Sequence, residues 1–216
     1  IENAQAWSNY TASYRPIVEF AKQHFLPVIA ANAPAQTVRC LGRQGQDYLE
    51  KLTPEEGADI ADKPFFSDPA YAQKFHEFMR QSAPKKAVKP DADDQTESNP
   101  AYLAQLLRDN TMAESILQAH QRYPKAQILH LNGAFHSDNF LGTVAALKHR
   151  DPSLKIAVIS PVIVENPQAP HFSEADLQKG DVIYLLQAQP TDYVQAAKRR
   201  AAFKKMFKKA DAQPCR

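Results

Sequence analysis

Three short segments carry the residues that could do chemistry. The sharpest is Leu131-Asn-Gly-Ala-Phe-His-Ser-Asp138, placed where an apolar run gives way to a helical pattern. In open parallel sheets, ligands bind in the crevice beyond the carboxyl ends of the strands. Gly133 would let the chain turn there and approach a ligand closely. His136 would stand at or near a helix N-terminus, pointing into that crevice. A neutral imidazole so placed binds a metal, ligates haem iron or transfers a proton. The competing reading is structural: Ser137 or Asp138 caps the helix and His136 packs.

The second segment is Arg108-Asp-Asn-Thr-Met112, which interrupts a long helical pattern between two apolar runs. Residues four apart share a helix face, so Arg108 and Met112 are neighbours. Arg108 then either joins an ion pair within or between helices, or anchors an anionic group such as a haem propionate through its bidentate fork. The third is Ala31-Asn-Ala-Pro34, after another strand-like run. Asn32 would donate or accept in the same crevice, although Asn-x-Pro commonly makes a plain turn. The familiar hydrolase signatures are missing: His76-Glu77 is followed by Phe-Met-Arg, and there is no GxSxG, Walker A or GxGxxG. Gly42-Arg-Gln-Gly45 matches a nucleic-acid-binding GxxG loop by letter only. The remaining histidines (24, 76, 120, 130, 149 and 171) show no metal-ligand spacing with one another.

The elements that must position these residues follow from periodicity. Helices are predicted over 8–25, with Ile17, Val18, Ala21 and Phe25 on one face and Ser13 as cap, and over 35–52, weakened by Gly42 and Gly45. Further helices are predicted over 69–81, capped by Ser67 or Asp68, and over 100–122, capped by Asn99 with Pro100 at its first position. The rest are predicted over 136–148 and 191–209. Strands are predicted over 26–31, 127–131, 155–160 and 181–186, the first of them buried. Residues 53–68 read as a Pro- and acid-rich loop, and 82–98 as a mobile surface loop or linker with a single Val and no aromatic. Short apolar strands alternating with amphipathic helices give an α/β fold with a largely parallel sheet and flanking helices.

Composition bounds what this fold can do. The chain has 216 residues, room for one domain with a sizeable core. Lys and Arg number 26 and Asp and Glu 24, a net charge of +2, too balanced for a dedicated nucleic-acid binder. No apolar stretch reaches the roughly 18 residues of a membrane span. The terminal helix interleaves Phe203, Met206 and Phe207 with seven Lys and Arg between 198 and 209. It either rests on an anionic membrane surface or forms a solvated outer helix with its aromatics on the sheet. Cys40 and Cys215 belong to no CxxC pair; they are two free thiols or, in an oxidising compartment, a bridge from the C-terminus to the first third of the chain. Residue 1 is Ile and nothing resembles a signal peptide, so a leader was removed or the chain starts inside a larger protein.

The order of several motifs resembles one family. Trp7 is followed by Tyr14-Arg-Pro-Ile-Val-Glu-Phe-Ala21, Leu26-Pro-Val-Ile-Ala-Ala-Asn-Ala-Pro34 and Val38-Arg39. Then come Arg108-Asp-Asn-Thr-Met-Ala113, Leu131-Asn-Gly-Ala-Phe-His136 and Gly142. Over roughly residues 5–190 this resembles the ChaN-like haem-binding lipoproteins of the Tiki/TraB/erythromycin-esterase superfamily. The resemblance implies a periplasmic or outer-membrane lipoprotein in iron acquisition or storage, with haem held at a homodimer interface and a haem receptor or transporter as partner. It also implies an N-terminally incomplete domain over 1–190, lacking a Gly-Glu-x-His segment and the first strands, followed by a basic helix and tail over 191–216. On this reading Tyr14, Tyr102 or His136 ligates haem, Arg39 or Arg108 pairs with propionates, and Asn32, Asp109 and Met112 line the site. The alternative from the same superfamily is a metal-dependent peptidase using Mn, Co or Zn, with Gly133-Ala-Phe-His136 as its GxxH element and His136 as a metal ligand. A third reading is a non-catalytic interaction domain.

Overall fold

The computed structural model describes residues 10–82, 98–190, 193–211 and 214–215. Trp7 and nearly all of the expected 82–98 loop lie outside the described residues. The chain divides into two compact units, Ile1–Ala31 and Asn32–Arg216.

In the first unit, a π-helical turn over Tyr10–Tyr14 leads into α1, Arg15–Gln23. Pro16 sits in the first turn, where its missing N–H is no loss. Ser13 is not the cap: Tyr14 holds that place, with no side-chain cap bond. The helix ends before Phe25, whose φ of 55° is left-handed and whose ring is exposed, so Phe25 is not on the predicted apolar face. The run 26–31 forms no ladder, and Leu26, Val28 and Ile29 are exposed. An apolar run becomes a buried strand only where neighbours supply its hydrogen bonds.

The second unit is built around one helix. Ala35–Gln44 forms α2, and Gly45, with φ 77°, breaks the predicted 35–52 helix into α2 and a 3-10 segment, Gln46–Lys51. Pro54–Ala58 is α3, closed by a reciprocal cap between Thr53 and Glu56 within the stretch expected as loop. Pro69–Ser82 is α4, where Asp68 accepts from the Ala70 N–H at 2.8 Å. Pro100–Arg122 is α5, with Asn99 accepting from the Ala101 and Tyr102 N–H groups.

Helix α5 is wrapped on several sides, with apolar residues of successive turns and Asp109, Asn110 and Thr111 all buried. Leu103 and Leu107 pack with Val38, Cys40 and Leu41 of α2. Tyr102 and Leu106 pack with Tyr71 and Phe75 of α4. Ala113 packs with Ala146 and Leu147 of α6, Thr143–Arg150. Its buried polar groups are matched: Asn110 donates to the Phe66 and Leu106 carbonyls and accepts from Arg150, and the Thr111 hydroxyl accepts from the Ala61 N–H. A disulfide joins Cys40 of α2 to Cys215, which settles the two thiols as a bridge.

The sheet has two parallel strands among the described residues, β1, Ile159–Val164, and β2, Val182–Gln187, with Ile159 opposite Val182. The short helix α7, Glu174–Leu177, lies in the crossover between them. The fold is mixed α/β with a parallel sheet, as expected, but the strands differ in detail. Residues 127–131 form no ladder, and the strand predicted over 155–160 begins at Ile159 and continues through Pro161. Proline is tolerated there because β1 has one free edge among the described residues. The final helix is α8, Ala196–Asp211, rather than 191–209. Phe203 is half exposed in it, with the Arg199 guanidinium over its ring.

Candidate functional site

The site grows from Asp109, which α5 carries into the interior at 1% exposure. A buried carboxylate is costly unless several donors replace water. Four elements supply them. From α4, the Tyr71 hydroxyl donates to Asp109 Oδ2 at 2.6 Å. From α6, the Thr143 hydroxyl donates to Oδ1 at 2.8 Å. From the loop after residue 131, His136 Nδ1 lies 2.8 Å from Oδ1. One helical turn back, the Gln105 amide donates to the Tyr71 hydroxyl at 2.9 Å and reaches Oδ2 at 3.4 Å.

This geometry assigns the donor. A carboxylate only accepts, so His136 Nδ1 carries a hydrogen toward Asp109, and Nε2 is left for another partner. Histidines that ligate metals commonly donate their second nitrogen to a carboxylate in this way. The Tyr71 hydroxyl is pushed far above its usual range, first by burial and then by the Asp109 charge, so it stays protonated and keeps donating.

The loop that carries His136 is held from both sides. His136 ends a 3-10 turn, Ala134–His136, and a second turn spans Asp138–Phe140 before α6 starts at Thr143. The predicted helix over 136–148 is therefore broken, and His136 does not stand at a helix N-terminus. Neither Ser137 nor Asp138 caps a helix through its side chain: Asp138 accepts from the Ser160 hydroxyl of β1 at 2.7 Å. Asn139 and Phe140 both adopt left-handed backbone, φ 64° and 59°, a costly conformation for a bulky aromatic. Lys74 of α4 ties the loop down by donating to the Phe135 and Asp138 carbonyls, with its ammonium over the Phe135 ring. Burial pushes the Lys74 pKa down, opposed by the charges of Asp138 and Asp109.

Gly142, not Gly133, is the glycine the site requires. A Cβ on Gly142 would meet the His136 carbonyl oxygen at 2.7 Å and Asp109 Oδ1 at 2.9 Å, and its φ is 57°. Gly133 has an ordinary φ of −70° and only ordinary contacts around a Cβ.

The sequence-predicted residues divide. Asp109 and His136 come together. Arg108 lies beside Asn32, its Nη1 at 3.5 Å from the Asn32 Oδ1, and burial pushes its pKa down while Asp109 opposes this. No ion pair holds Arg108 among the described residues. Met112 is buried one turn beyond Asp109. Tyr102 is fully buried, its hydroxyl 2.7 Å from Ser67 Oγ and its ring against Phe75 and His76, which makes it a core residue rather than an open ligand. Arg39, on α2, has a buried Nε with no partner. Tyr14 belongs to the first unit. Sequence reasoning missed Tyr71, Gln105, Thr143 and Lys74; the available signals were the four-residue step from Gln105 to Asp109 and the place of Thr143 directly after Gly142.

Among the described residues no group of three or more His, Cys, Asp or Glu could hold a metal ion, so the ligand set of the peptidase alternative is not formed there. No described helix is long and apolar enough to cross a membrane. A groove lined by Phe66, Glu114, Leu117, His149 and Arg150 contains none of the site residues.

Residues 1–147 match the model of a family described as haem-binding uptake, Tiki superfamily, ChaN. No curated protein and no solved structure matches the chain significantly. The matched span includes Asp109, His136 and Gly142.

Proposed function

The chain belongs to the ChaN haem-binding uptake family of the Tiki superfamily, and from that premise we propose that it holds haem with His136 Nε2 as the nitrogen offered to the iron. The observation that carries this reading is the 2.8 Å contact between His136 Nδ1 and the buried Asp109 carboxylate. It fixes the ring and raises the basicity of Nε2 as a ligand. Thr143, Tyr71 and Gln105 hold Asp109 in turn, so the imidazole is oriented before any ligand arrives. Arg39 and Arg108 supply the cations for propionates; the orphaned buried Nε of Arg39 fits that task. When bound, haem supplies iron-centred ligand and redox chemistry, while the chain's own residues orient the imidazole and pair the charges.

The Cys40–Cys215 bridge supports an oxidising compartment, the periplasm or the cell surface. An uptake role there requires a partner that delivers or removes haem. A second reading draws on the same contact: a carboxylate-held imidazole is also the arrangement of a general base. Peptidase chemistry would then depend on metal ligands beyond the described residues.

Titration with hemin, followed in the Soret region, separates these readings. Saturable binding by the chain, lost or moved to a different band in His136→Ala, is the expected result. An unchanged spectrum in His136→Ala overturns the assignment, and if Tyr14→Phe removes the band instead, the ligand is a tyrosinate. If hemin does not bind and His136→Ala abolishes a metal-dependent peptidase activity, the second reading holds.

A further inference from the structure

One imidazole close to this network has no assigned task. His130 ends the apolar segment before the His136 loop, and its Nε2 is buried with no hydrogen-bond partner. It lies within electrostatic range of both His136 and Asp109, and burial, then His136, push its pKa down, so the ring is neutral near pH 7. A buried ring nitrogen without a partner costs free energy, and native proteins leave few of them. The neighbouring polar groups are otherwise well matched: Asp109, Tyr71, Gln105 and Thr143 all bond one another or His136. An orphan beside a saturated network is a group whose partner comes from outside the chain.

We propose that His130 is a ligand-contacting residue of the His136 site, its Nε2 donating a hydrogen bond to a carboxylate of the bound group. This rests on the haem reading above, in which those carboxylates are the propionates. His130 would then add a neutral donor to the cationic Arg39 and Arg108. It contributes orientation at the cost of an unsatisfied atom in the free protein.

The test compares hemin with hemin dimethyl ester, whose propionates are blocked, on the full chain and on His130→Leu. The wild-type chain should prefer hemin over the ester, and His130→Leu should weaken hemin roughly tenfold while leaving the ester unchanged, the loss expected for one hydrogen bond to a charged acceptor. Thermal melting of the ligand-free proteins is the second readout. His130→Leu removes the orphan nitrogen and should melt at or above the wild-type temperature. Equal loss of affinity for both compounds, or none for either, overturns the proposal, as does a melting temperature several degrees below wild type, which would make the imidazole a structural group. If the wild-type chain binds neither compound, the haem reading fails and this proposal with it.

Discussion

The helices around α5 and the β1–β2 strand pair solve the same problem with unequal success. In the helical region the interior is filled and, apart from the Arg39 Nε of α2, its buried polar side chains are answered among the described residues: Asp109, Asn110 and Thr111 are buried and each bonds a neighbouring element. In the strand region Ser160, Val162 and Val164 face inward, but Ile159 and Ile163 are about 60% exposed (62% and 59%), and Val182 and Tyr184 of β2 are exposed as well. Parallel sheets normally have both faces covered. The difference teaches where the site's rigidity originates. Asp109, Tyr71, Gln105 and Thr143 all belong to the saturated region. The strand side contributes ties to the loop, through Ser160 of β1 to Asp138 and, from the crossover, through the Lys179 carbonyl to the Asn139 N–H and the Gln178 carbonyl to the Asn139 side-chain amide.

That contrast can be broken at several strengths. The largest effect is expected from the bridge between Cys40 and Cys215, which are separated by 175 residues. Loop-closure entropy for a ring of that size amounts to about 5 kcal/mol. Chemical denaturation with and without reductant should show a loss approaching that value. Next is Asp109→Ala, which leaves the Tyr71 and Thr143 hydroxyls and His136 Nδ1 without an acceptor. A loss of about 3 kcal/mol or more is expected from urea unfolding. Gly142→Ala forces a methyl group against the His136 carbonyl and Asp109 in left-handed backbone, and should cost about 2 kcal/mol and displace the His136 ring, visible as a changed hemin spectrum. The last pair tests the contrast itself. Leu107→Ala in the core should cost about 3 kcal/mol, whereas Ile163→Ala on the open sheet face should cost less than about 1 kcal/mol. Similar losses from the two would mean that the strand face is covered in solution.

Much of the helical region was legible in the sequence, because caps and periodicity are local. Asn99-Pro100 and the spacing of Leu103, Leu106 and Leu107 define α5 without help from the rest of the chain. Asp109 and His136 were each legible as candidates, but their contact was not. It spans 27 residues and depends on a loop with two consecutive left-handed residues, which hydrophobic periodicity does not encode. Periodicity for that reason ran 136–148 together as one helix. The apolar runs 26–31 and 127–131 read as strands because composition reports a preference for burial, whereas a ladder also needs a neighbour to exchange hydrogen bonds with. Tyr102 looked like a ligand by residue type, as a tyrosine that could bind haem iron. Its hydroxyl is instead engaged with Ser67, a partner 35 positions away.

The bond between Cys40 and Cys215 also changes the topology of the chain. It converts nearly the whole second unit, from α2 to the end of α8, into a covalent circle. A protease that cuts this circle once, at whatever position, opens it without releasing a fragment. The two pieces migrate apart on a denaturing gel only after a thiol is added. Nicked protein would therefore retain its mass, and with it Asp109 and His136 in one covalent object, until it met a reducing environment.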